Sequence, residues 1–298
     1  MRISRLLAAT AFTAVLSAQP VVLGAGYTAP STIKVAPGQL LTFFVSGIAG
    51  SPTARVAASS LPLPYSLAGI SVTIDELSNP PLRNERVPLL AIAPLGNVLA
   101  ISVQIPFGLR TSSFLAPDIP PPATMTLSVN NTAAVTIPIA PTPDQLHIAT
   151  TCDANLTTPV PGALCRPVVA HVDGSLVTPD QPAHAGELLV LYAFGLGATN
   201  PGMAAGDAAT SAQPAVAPIS MTADAAIADI PSTRQIVAPV FAGLTVGFSG
   251  LYQINFFAPP PPTPFAPAAC TTFNSPNGNV ALTVHAGSSD TARFCVYP

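Results

Sequence analysis

Four cysteines, four histidines and one Tyr-Gln-Ile-Asn run carry most of the chemistry available to this 298-residue chain. The cysteines are Cys152, Cys165, Cys270 and Cys295. A zinc site favours close Cys-x-x-Cys or Cys/His pairs, and neither spacing occurs. An even number in an exported chain points instead to disulfides. Three connectivities are possible. Cys152–Cys165 and Cys270–Cys295 are preferred, because each pair lies within one local segment. Either loop has the length that contributes about 3 kcal/mol when closed. The histidines, His147, His171, His184 and His285, are scattered. His184 and Glu187 would share a face only on a helix, and no His-Glu-x-x-His pattern exists.

Nucleophilic catalysis finds no pattern either. Ser249 sits in "GFSGL", which fails the spacing of a nucleophile elbow. Asp75 and Glu76 are adjacent, so in a strand they face opposite ways and do not form a working carboxylate pair. Gly195-Leu196-Gly197 is followed by "ATNPG", which stops the helix a phosphate loop requires. These glycines read as a turn after a strand, where φ is positive. No catalytic residue, metal ligand or cofactor is expected. Tyr252, Gln253 and Asn255 remain. In a strand, Tyr252 points to one face, and Gln253 and Asn255 to the other. The amides are expected to hold backbone at a sheet edge or bulge; the alternative is a polar recognition stripe.

Strands must position all of these residues. Hydrophobic residues make up 49% and charged residues 8%, so the chain buries real cores. The 36 prolines remove backbone donors along the whole length and leave little room for long helices. Many short strands with Pro- and Gly-rich turns are the remaining solution. The four prolines Pro259–Pro262 fit this scheme as a strand exit, since proline cannot donate to a ladder.

The N-terminus is separate. Arg2 and Arg5 precede an apolar run from Leu6 to Leu16, and small residues follow, with Ala18 and Ala25 as candidate cleavage ends. This predicts a signal peptide over residues 1–25 and a secreted, extracellular or periplasmic protein. The apolar run is too short to span a bilayer comfortably, so no membrane span is expected in the mature chain. Lysine and arginine total 10 against 13 acidic residues, unclustered, which excludes a nucleic-acid footprint. Asn130 and Asn155 open N-glycosylation patterns, relevant only in a glycosylating host.

The chain also repeats itself. "PGQLLTFFVSGI" (37–48) matches "AGELLVLYAFGL" (185–196), "NVLAISVQIP" (97–106) matches "GLYQINFFAP" (250–259), and Met125–Pro141 matches Val280–Pro298. The matches keep their order at offsets of about 150 residues, which favours two copies of one module over the single larger sandwich that the strand pattern also permits. Each copy holds about six or seven short strands, which fits an immunoglobulin-like sandwich. The expected fold is all-β: module 1 over 26–141, a disulfide-stapled connection over 142–182, and module 2 over 183–298.

The second copy resembles a known family. Gly186-Glu187, Gly195-Leu196-Gly197, Phe241-Ala242-Gly243 and Gly250-Leu251-Tyr252-Gln253-Ile254-Asn255 resemble the Solibacter-type C-terminal module of acidobacterial secreted proteins. The resemblance covers roughly residues 165–298, with a weaker copy over 30–141 in which the Tyr-Gln-Ile-Asn core is missing. It implies export and an immunoglobulin-like or related β-fold, and no particular reaction. The function expected is therefore a non-enzymatic secreted or surface protein that supports structure or binds a protein or polysaccharide at the cell surface. The alternatives are a carbohydrate- or polymer-binding module and, further off, a hydrolase with a cryptic site. The absence of Trp and the presence of only five Tyr count against stacking on sugars.

Overall fold

The computed structural model describes residues 20–25, 32–50, 52–77, 80–111, 121–157, 162–225, 234–260, 270 and 278–297. Among these residues there are strands and no helix; none is therefore a helix long and apolar enough to cross a membrane. The first ten strands are β1 (Val21–Ala25), β2 (Ile33–Val35), β3 (Leu40–Ser46), β4 (Val56–Ala57), β5 (Ile70–Glu76), β6 (Leu82–Val87), β7 (Leu89–Leu95), β8 (Val98–Gln104), β9 (Ala123–Val129) and β10 (Thr132–Pro141). They form two five-stranded sheets, β1-β3-β8-β7-β4 and β2-β10-β9-β5-β6. Neighbours are antiparallel except β2, which runs parallel to β10. With β1, β3, β8 and β7 as A, B, E and D, and β5, β9 and β10 as C, F and G, this is the strand order of an immunoglobulin sandwich.

The sequence pattern explains the layers. On β5, Ile70, Val72 and Ile74 are buried and alternate with half-exposed residues, the period of a strand with one face inside. They meet Phe43, Val45, Ile101 and Val103 of the facing sheet in one core. β3 and β8 are buried on both sides at their seam-facing ends, which is why they read as nearly continuous apolar runs.

The remaining strands are β11 (His147–Ile148), β12 (Val169–His171), β13 (Leu188–Phe194), β14 (Gln213–Pro214), β15 (Ser220–Ala225), β16 (Gln235–Val237), β17 (Pro239–Leu244), β18 (Tyr252–Phe257), β19 (Val280–His285) and β20 (Ser289–Phe294). Their sheets are β11-β13-β18-β17-β14, with β12 also on β13, and β16-β15-β19-β20. A parallel bridge between Ala183 and Val296 stands where β2 and β10 pair in the first half. The copies correspond residue by residue: Leu40 lies opposite Gln104 and Leu188 opposite Phe257. Even an irregularity recurs, between Leu89 and Ala91 and between Pro239 and Phe241.

Two segments differ from expectation. Residues 142–182 are not a free connection. β11 and β12 both pair with β13, and Leu146, Ile148, Val169 and Val177 enter the second core. The open edge of β13 needs partners for its backbone groups, and this segment supplies them. Likewise Val21–Ala25, the end of the expected signal peptide, is an edge strand on β3, with Ala25 fully buried. The rest of the expected leader, residues 1–19, lies outside the described residues. Removal of a leader is thus expected after Ala18 rather than Ala25, because the later cut would strip β1 from its sheet. Mass spectrometry of the secreted N-terminus checks this; a start at Gly26 contradicts it.

Both disulfides form as their local spacing predicts, with Cα–Cα separations of 5.1 Å for Cys152–Cys165 and 5.8 Å for Cys270–Cys295. The first closes the loop that follows β11. The second ties the segment beyond the proline run to the end of β20. β18 ends at Phe257, and Pro259 and Pro260 leave the sheet as expected; Pro261 and Pro262 are outside the described residues.

Candidate functional site: the seam between the modules

The predicted Tyr252-Gln253-Asn255 run divides between two surfaces. Tyr252 is fully buried in the second core. Its hydroxyl donates to the Gly197 carbonyl oxygen at 2.5 Å and approaches the Pro37 carbonyl oxygen of the first module at 3.4 Å. Burial pushes the phenol pKa well up, so the group stays a donor. Gly38 (φ +72°) lies beside it; a Cβ there would collide with the Phe107 ring and the Tyr252 hydroxyl. Gly195 and Gly197 also have positive φ and pass against the Gln145 and Pro143 carbonyls, with no room for a side chain. The Gly-Leu-Gly run therefore leaves β13 as irregular backbone rather than the expected turn, lets two backbones approach and gives Tyr252 its acceptor.

Gln253 and Asn255 point outward, half-exposed. Gln253 Nε2 donates to Asn255 Oδ1 at 3.1 Å. They bond to each other, with Asn255 beside the irregularity between Pro239 and Phe241. They sit in mid-sheet, where ladder bonds already use the nearby backbone groups. Replacing either with alanine is expected to change stability by less than about 0.5 kcal/mol, as read by denaturant unfolding.

Around Tyr252 the modules share a buried seam. Leu40 packs with Ala149, Phe194 and Leu251, and Leu90, Val168 and Tyr192 flank them. Gln104, fully buried, accepts from Gly206 N at 2.5 Å, and Leu63 N donates to Gly206 O at 2.9 Å. On another side of the seam Arg55 Nη1 reaches Ala154 O at 3.4 Å.

Next to this seam is a cluster that sequence reasoning missed. His147 on β11 places Nε2 3.1 Å from both Asp153 oxygens and Nδ1 3.5 Å from Asp290 Oδ2. Asp153 Oδ2 also accepts from Thr150 N, and Asp290 Oδ2 from Ile148 N. Since Asp290 lies on β20, the imidazole links the two sheets of the module. Burial alone lowers the His147 pKa, but the hydrogen bonds to Asp153 and Asp290 outweigh it and raise the value to about 9. Asp290 is burdened by burial, yet the bonds from His147 and two backbone amides hold it below its ordinary value. No sequence signal links residues so far apart; only His147 and Asp153 are neighbours in the chain.

His147 and Asp153 border a cleft of about 310 Å³ whose other wall includes Leu40, Thr42, Phe44 and Leu95. The chemistry available there is limited. A general base needs a free, unprotonated nitrogen. His147 is cationic at neutral pH with both nitrogens facing carboxylates. Thr42 Oγ1 is paired with Ser102 Oγ at 2.8 Å, and Cys152 is in a disulfide. A second pair, His171 Nδ1 with Glu187 Oε1 at 2.5 Å, joins β12 to the turn before β13. Glu187 Oε2 also accepts from His184 N, so this pair fixes a loop. Asp144 does the same for the β19–β20 turn, accepting from Gly287 N and Ser288 N. Among the described residues no group of three or more His, Cys, Asp or Glu side chains is arranged to hold a metal ion.

No protein-family model matches the chain, and no curated protein sequence matches it. Solved structures similar to it include the Yersinia pseudotuberculosis adhesin InvE, at 10% identity over 92% of this chain and 58% of that one, TM-score 0.21. Domains 4–9 of the surface layer protein SbsC match at 12% identity over 94% of this chain and 32% of that one, TM-score 0.24. The tandem Ig repeats of Dlar match at 9% identity over 93% and 96%, TM-score 0.20. The chain spans less than two thirds of the first two. The immunoglobulin-like assignment rests on the strand order itself.

Proposed function

We propose that this protein is a non-enzymatic extracellular structural or binding element, two immunoglobulin-like modules held as one stiff body. The observation that carries the reading is the buried seam, with Leu40, Phe194 and Leu251 packed together and Gln104 bonded across it. Domains within a chain move relative to one another unless their interface is large and apolar. Here apolar packing and buried hydrogen bonds combine, which suits a spacer or display platform. Two disulfides favour an oxidising compartment outside the cytoplasm. The likeness to the Solibacter-type secreted module points the same way. The bound state of His147 speaks against hydrolysis.

Small-angle X-ray scattering tests the stiffness. One fixed shape is expected to fit the dilute scattering. A profile that needs an ensemble of bent forms defeats the reading.

One observation favours a second reading, a polysaccharide-binding face. The half-exposed amides Gln253 and Asn255 lie directly opposite Tyr192 and Phe241, with Tyr192 at the margin of the seam, and paired residues share a face. Retention on insoluble polysaccharides tests it, with Gln253→Ala and Asn255→Ala as controls. No retention on a broad panel sinks this second reading.

A further inference from the structure

The repeat sets the same sandwich surface in two different surroundings. In the first module, the pole where β3 begins and β8 ends is the seam. Leu40 and Gln104 are 4% and 0% exposed there, and Leu90 packs against the same cluster. Strand pairing fixes their counterparts in the second module. Leu188 opposite Phe257 repeats Leu40 opposite Gln104. Val240 repeats Leu90, since each lies within the same irregularity between paired residues. These counterparts are exposed: Val240 is 58% exposed, Phe257 53%, and neighbouring Ile236 90%. A surface that is a buried joint in one copy is an uncovered apolar pole in the other.

The other end of the molecule offers a matching surface. Residues at the end of β13, Phe194 above all, form the second module's half of the seam. The counterpart pole of the first module lies at the end of β3, where Val21 pairs with Ser46. Val21 and Leu23 are 52% and 50% exposed on this edge strand. The two exposed poles are thus the counterparts of the two halves of the seam, with Ser46 standing where the seam has Phe194.

We propose that the protein associates head to tail with further copies of itself. The pole at Ile236, Val240 and Phe257 seats the Val21–Leu23 pole of the next molecule. The contact is heterologous, so it repeats along an open row rather than closing as a twofold dimer. The proposal rests on the stiff-body reading, because a row of flexible pairs would not keep its poles aligned.

The test uses the full chain with β1 present, followed by sedimentation and X-ray scattering from about 1 μM to about 1 mM. Mass is expected to rise with concentration, and the maximum dimension to grow by whole molecular lengths. Ile236→Glu combined with Val240→Glu is expected to weaken association at least tenfold, and so is Val21→Glu. All three positions are exposed, so folding is preserved; an unchanged circular dichroism spectrum verifies it. A one-to-one mixture of the two variants is expected to form dimers and stop there, because each variant keeps one intact pole. A chain that stays monomeric throughout overturns the proposal. So does association that Ile236→Glu and Val240→Glu leave intact, or a variant mixture that stays monomeric. The dilute scattering of the Ile236→Glu and Val240→Glu variant reads stiffness alone, so a failure of association is distinguished from a failure of the stiff-body reading.

Discussion

Tyr252→Ala is expected to lower the unfolding free energy of the second module by about 3–5 kcal/mol, the range for a fully buried aromatic cut to alanine. The ring fills the second core with Ile254 and Phe256, so its loss leaves a cavity. The hydroxyl adds a separate effect. Without it the Gly197 carbonyl loses a buried donor, and Tyr252→Phe is expected to cost about 1–3 kcal/mol on its own. The same side chain approaches Pro37, so the alanine variant is also expected to loosen the seam. Denaturant unfolding should then turn biphasic, with the second module melting first, since the modules no longer support one another. Coincident, single-step unfolding of Tyr252→Ala at wild-type midpoint would falsify the placement of this residue at the joint.

The second large effect is a loss of stability in mild alkali. The folded-state pKa of His147 is raised from an ordinary 6.5 to about 9. The imidazolium's contribution is therefore complete below about pH 6.5 and is lost as the pH rises through about 9. At 1.36 kcal/mol for each pKa unit, this amounts to about 3 kcal/mol. The Asp290 carboxylate is shifted the other way by the same pair. Its share is present above the unfolded carboxylate pKa and is lost as the pH falls through its lowered folded value. Stability should thus be greatest between mildly acidic pH and about pH 6.5. His147→Gln is expected to be less stable at pH 6 and to lose the decline between pH 7 and pH 9. An equally steep decline in that variant assigns it to another group. The place of unfolding is also predictable: loss of the His147 bridge frees β11 from β20, so amides of Ile148 and Thr150 should be the first to exchange hydrogen.

How much of this was legible beforehand differs from element to element. The alternation of Ile70, Val72 and Ile74, and the apolar runs at Leu40–Ser46 and Leu188–Phe194, identify strands because a pleated backbone turns alternate side chains to one side. The repeat gave the module count, because two copies of one fold must keep core positions at matching places. Cys152–Cys165 and Cys270–Cys295 were legible because short loops bring their own ends together. The limit of module 2 was not. Residues 142–182 lack a strong strand pattern, and it is the unpaired edge of β13 that recruits His147–Ile148 and Val169–His171. The same holds for Val21–Ala25, whose composition suits both a leader's end and an edge strand; its pairing with β3 is a contact that composition does not record.

The candidate site divides along the same line. Sequence alone determined that Tyr252 faces opposite to Gln253 and Asn255, that the Gly-Leu-Gly run follows a strand with positive φ at its glycines, and that no local catalytic pattern exists. Each of these is a property of nearby residues along one strand or loop. Only the tertiary structure decided that Tyr252 reaches toward the other module, that Gln253 and Asn255 bond to each other, and that His147 is held between Asp153 and Asp290. Tyr252 to Pro37 and His147 to Asp290 join residues more than a hundred positions apart. Their distances follow from how sheets stack and modules abut, and backbone periodicity carries no record of that.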